Sequence, residues 1–64
     1  MKLPVRQRLR VHLDTGRSVE GVLMTRRGPY VRLDSAQVEV GGKLVESGSV
    51  MIPLARVEFV QVLG

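Results

Sequence analysis

Sixty-four residues without a cysteine leave room for one small domain, 1–64, and exclude a disulfide scaffold and a thiolate metal centre. The net charge of +4 is unevenly spread: residues 1–32 hold eight of the ten Lys and Arg against Asp14 and Glu20, whereas 33–64 hold only Lys43 and Arg56 against four acids. No stretch is long and apolar enough to cross a bilayer, and residues 1–9 lack the apolar core of a signal peptide, so the chain reads as soluble, cytoplasmic and without membrane contact. A domain this small buries only about 60% of its unfolded surface, and assembly is the expected source of added stability. The basic half suits an anionic partner such as nucleic acid, or serves as a solvated face that keeps the chain soluble.

Residues 1–7, MKLPVRQ, form a short lead-in in which Pro4 opposes a helix. From 8 to 14 the chain alternates, with Leu9, Val11 and Leu13 on one side and Arg8, Arg10 and His12 on the other, which predicts a half-buried strand. DTGR (14–17) is a turn. Over 18–25 Val19, Gly21 and Leu23 share a face, and a glycine in mid-strand predicts a sharp bend or a close backbone approach. TRRGP (25–29) interrupts the pattern, and 30–40 resumes it with Val31 and Leu33 inward and Tyr30 and Arg32 outward. GGK (41–43) is a tight turn, 44–52 a fourth strand interrupted at SGS (47–49), PLAR (53–56) a turn or a single turn of 3₁₀ helix, and VEFVQV (57–62) a fifth strand. No helical period reaches about ten residues. The expected fold is all-β: a small, strongly bent, five-stranded antiparallel barrel of SH3-like shape with Val11, Leu13, Val19, Leu23, Val31, Leu33, Val38, Ile52 and Val60 in its core.

The order of three segments resembles the Sm-like (LSm/Hfq-type) family. VHLDTGRSVEGVL (11–23) is similar to the first half of the Sm motif, VRLDSAQVE (31–39) to its end, and SVMIPLARVEFVQVL (49–63) to the second Sm motif. Together they cover about residues 9–63. The resemblance implies a ring of six or seven subunits, six being preferred for a subunit this small. In it the fourth strand of one copy pairs with the fifth of the next, through Val50, Met51 and Ile52 against Val57, Phe59 and Val60. It also implies binding of single-stranded RNA, as a chaperone or regulator. Two positions depart from the family pattern: Tyr30 stands where an Asn usually helps to hold a base, and Pro53–Leu54 where Arg-Gly is usual. The usual uridine pocket is therefore not carried over, and a ring-forming protein–protein module of bacterial or phage type is the alternative.

RRGPY (26–30) offers another route to RNA. Arg26 and Arg27 can pair with phosphates and Tyr30 can stack on a base, with Arg56 as a further cation after the second turn. Arg6, Arg8, Arg10 and His12 make a stripe on the first strand, read either as a phosphate track or as the solvated face of a sheet. The single histidine has no ligand partner at metal spacing, the acids are not paired for acid–base work, and no serine stands in a nucleophile elbow. Neither metal, cofactor nor catalysis is expected.

Overall fold

The computed structural model describes residues 3–64. Five strands follow in chain order: β1 (Arg8–Leu13), β2 (Ser18–Arg27), β3 (Tyr30–Val40), β4 (Lys43–Pro53) and β5 (Val57–Val62), with one 3₁₀ turn, Leu54–Arg56, before the last. All pair antiparallel in a single sheet of order β4-β3-β2-β1-β5. The second strand runs two residues past its expected end, because Arg26 and Arg27 continue the ladder up to a two-residue loop, Gly28–Pro29. Gly41 and Gly42 take φ of 57° and 81°, the left-handed pair that a two-residue hairpin turn requires.

The sheet bends where its ladder slips. Glu20 pairs with Gln37 but Val22 with Asp34, so β3 carries one extra residue, at Ser35 with φ 49°. A Cβ on Gly21 would lie 3.0 Å from Leu33 Cβ, 3.1 Å from Asp34 O and 3.2 Å from Ala36 Cα. The expected close backbone approach is thus at this bend. SGS is not a break: β4 runs through it, absorbing Ser47 as an extra residue beside Gly48, whose φ is 66°.

Bending brings one face of the sheet around a core of Leu9, Val11, Val19, Leu23, Val31, Leu33, Ala36 and Ile52. Of the expected core residues, Leu13, Val38 and Val60 are only half-buried at its margin, and the others lie within it. Leu9 and Ala36 complete the core. The lead-in also joins the fold. Leu3 packs on the core, Arg6 N donates to Leu23 O (2.6 Å) and Leu23 N to Gln7 O (3.0 Å), a bulge that carries the β2 ladder past β1 with Arg6 at φ 66°. Residues 1 and 2 of the lead-in lie outside the described residues. Among the described residues no helix is long and apolar enough to cross a membrane.

Candidate nucleic-acid and assembly surfaces

Strand register decides which side chains meet at the β2–β3 hairpin. Directly opposed residues of an antiparallel pair project from the same face. Arg27 is opposite Tyr30, which in turn is opposite Pro53, and Thr25 is opposite Arg32, which is opposite Met51. Arg26 is opposite Val31, a buried residue, so it leaves the hairpin on the core side of the sheet, where the strand end opens it to solvent. Arg27 and exposed Tyr30 therefore share one face at the hairpin tip, and Arg26 leaves from the other.

The 3₁₀ turn is tied to this tip, since Leu54 N donates to Pro29 O at 2.8 Å. Its other end is tied to the β1–β2 turn. Asp14 N donates to Arg56 O (2.9 Å), and Arg56 Nη1 reaches Asp14 Oδ2 at 3.4 Å. Arg56 is thus fixed by a carboxylate beside the β1–β2 turn rather than placed against Tyr30.

Sequence reasoning missed Arg32 as a member of this surface. It follows Tyr30 on the same face, and its Nε and Nη2 donate to the two oxygens of Asp34 at 2.8 and 3.4 Å, while Ser49 Oγ donates to Asp34 Oδ1 at 2.8 Å. These bonds, those from Arg32 foremost, hold the Asp34 carboxyl below the usual carboxylate range against a smaller opposing effect of desolvation. The alternation Tyr30–Arg32–Asp34 was the available signal.

The six apolar residues of the expected interface divide by depth. Ile52 is buried in the core; Val50, Val57 and Val60 lie half-buried against it; Met51 and Phe59 are exposed. Strands β4 and β5 end the sheet, and among the described residues neither has a partner on its outer edge. Val45, Met51, Phe59 and Val62 are each about half exposed on these two strands. A cleft of about 290 Å³ opens beside the end of β4, lined by Leu13, Val19, Val38, Val50, Ile52 and Pro53, with Asp14, Thr15 and Arg56 as its polar part. Among the described residues no three acids or histidines gather to hold a metal ion.

No protein-family model matches the sequence, and no curated protein does. Solved structures are similar in fold. A heptameric archaeal Sm protein, discussed for its implications for the eukaryotic snRNP core, superposes with a TM-score of 0.83, over 94% of this chain and 90% of that one, at 16% identity. The P. aerophilum SmAP1 heptamer gives 0.84, over 94% and 82%, also at 16% identity. The Pyrococcus abyssii Sm protein in complex with a uridine heptamer gives 0.79, over 91% and 84%, at 22% identity. The chain has the Sm fold.

Proposed function

We propose that this Sm-fold chain assembles edge to edge into a closed ring and binds single-stranded RNA through Arg27 and Tyr30, with Arg26 and Arg56 adding positive charge. It is a binding and assembly protein in this reading, not an enzyme. The observation that carries it is that β4 and β5, both with exposed apolar residues, end the sheet with outer edges that have no partner among the described residues. Exposed edges of this kind invite pairing with another strand. A β4 edge on one copy meeting a β5 edge on the next is a heterologous contact, which repeats until rotation closes it. Val50, Met51 and Ile52 then face Val57, Phe59 and Val60 across the joint, largely through their backbones, and the cleft beside β4 receives apolar side chains from the neighbour. Two of the fold neighbours are heptamers, which supports seven subunits over six.

For RNA, the support is the Arg27–Tyr30 pair together with the uridine heptamer held by a protein of the same fold. A tyrosine stacked on a base contributes about 1–3 kcal/mol. One such contact is weak, but a ring repeats it, and one strand engaging several copies binds by avidity. Sedimentation equilibrium of the purified chain, combined with anisotropy of labelled oligouridylate at low and moderate salt, tests both halves. The expected result is a species of about seven subunits that binds with a salt-dependent affinity. A monomer or dimer at micromolar concentration removes the ring. A ring that ignores RNA leaves the protein-assembly alternative, for which Pro53 and Leu54 in place of Arg-Gly already speak.

A further inference from the structure

Arg32 is held more firmly than a solvated cation needs. Its Nε and Nη2 donate to Asp34 Oδ1 and Oδ2, and Ser49 Oγ holds Oδ1 from the other side. Nε and Nη2 form the side edge of the planar guanidinium, so the clamp occupies that edge alone. A guanidinium carries five N–H donors, and the two on Nη1 and the second on Nη2 are left over. Among the described residues these have no acceptor, and the Arg32 side chain is 49% exposed. One donor on Nη1 and one on Nη2 thus remain as a parallel fork at the tip of the group. Its charge is offset by ionised Asp34 beside it. Arg27 differs, for among the described residues no carboxylate pairs with it. Tyr30, 44% exposed, shares the face of Arg32 two residues earlier, about 7 Å along the strand.

We infer that this surface selects guanine: a base stacked on Tyr30 turns its N7 and O6 to the free fork of Arg32, while Arg27 takes a phosphate. Two adjacent acceptors are what a two-donor fork recognises, and guanine carries them on the edge away from Watson–Crick pairing, where adenine has one acceptor and one donor. Single strands leave that edge open. Cytosine has a comparable pair, O2 and N3, but its single ring overlaps Tyr30 less once that edge reaches the guanidinium, whereas a purine is long enough for both contacts. A fork whose charge is already offset attracts phosphate weakly and keeps its donors, which suits neutral ring acceptors. Asp34 and Ser49 hold its plane in advance, so little side-chain freedom is lost on binding. Assembly leaves the surface open. The next copy joins the outer edge of β4, whereas Tyr30 and Arg32 project from the face of β3, with Pro53 and Met51 between them and that edge. The inference rests on RNA being the ligand at the hairpin and names the base preferred there.

Labelled oligouridylates carrying one central guanine, adenine, cytosine or 7-deazaguanine, which lacks N7, are titrated by anisotropy against the purified protein, with its mass recorded by sedimentation. The guanine strand should bind about fivefold or more tighter than the others, the 7-deazaguanine strand included. Arg32→Lys keeps the positive charge and loses the fork, and should bring the ratio of guanine to uridine affinities close to one. Because that ratio is taken within one protein, a general loss of affinity does not imitate it, and a contact to phosphate alone would leave it unchanged. Equal affinity for every strand, or a preference for cytosine, overturns the guanine reading and leaves RNA binding by Arg27 and Tyr30 standing. A guanine preference that survives 7-deazaguanine or Arg32→Lys overturns the assignment to this fork. Binding of none of the strands overturns the RNA reading and this one with it.

Discussion

Gly21 shows how much one missing methyl group can fix. Its φ is unremarkable for a strand, so what matters is space: two of the three atoms nearest an added Cβ are backbone of β3. Backbone cannot step aside as a side-chain tip can, and Gly21→Ala should cost about 1–3 kcal/mol. A urea midpoint lowered at unchanged slope is the expected reading. Gly21 was legible in the sequence because a glycine inside an alternating strand weakens it unless the chain bends or another backbone passes close there. Glu20 was not, since alternation alone puts it on the outer face as a solvated charge. Its burial comes from Arg8 and Arg10 lying across it from the neighbouring strand, a contact that no local pattern contains. Asp34 gives a pH signature. Because its folded pKa is depressed, its contribution is complete above the ordinary Asp value of about 3.9 and is lost as pH falls through the lower folded value. The stability gap between the natural chain and Asp34→Asn should therefore be widest near neutral pH and shrink as acid is added below about pH 4, as read from thermal midpoints. A gap constant with pH would assign Asp34 a packing role instead.

At the scale of elements, the β5 edge makes the sharpest prediction. Leu63 N donates to Arg8 O, and alternation along the ladder then turns the N–H groups of Gln61 and Phe59 toward β1 and those of Val60 and Val62 toward the open side. Val60 also packs on the core, whereas Val62 is 56% exposed. Val62→Pro deletes an outward donor at little cost to the subunit. It should leave the circular dichroism spectrum in place and shift sedimentation toward smaller species; an unchanged mass would move the joint elsewhere. Strand ranges were readable from period-two alternation and from glycine pairs. The extension of β2 through Arg26 and Arg27 was not, because two charges before Gly-Pro read as a loop until a facing strand completes the ladder. The same ladder separates the two arginines. Side chains adjacent in sequence fall on opposite faces, so grouping Arg26 with Arg27 and Tyr30 by proximity alone could not reveal which of them shares a face with the ring. Replacing Arg27 and Tyr30 together should therefore weaken RNA binding more than replacing Arg26, in anisotropy titrations at one salt concentration.

For the molecule as a whole, both the asymmetry of charge and the open ends of the sheet follow from the order of residues along the chain. The basic half supplies β1, β2 and the start of β3, and the half in which acids outnumber bases supplies the rest of β3, β4 and β5. A plot of log affinity against log salt should have a negative slope that becomes shallower by about one for each phosphate-contacting arginine removed per bound copy. The topology has a further consequence, for how the subunit is made. Among β1 to β4 every pairing joins sequence neighbours and can form as successive hairpins, whereas β5 must cross most of the chain to reach β1. Closing that long loop has an entropic cost that local hairpins avoid, so β5 is the natural last arrival in folding. Until it docks, β1 is an open template beside the core, and the β5 of another chain fits it as well as its own. Crowded refolding therefore risks exchanging this strand between copies. Newly made chains that meet before β5 has settled would become entangled dimers, and dilute refolding followed by concentration is the route to uniform subunits.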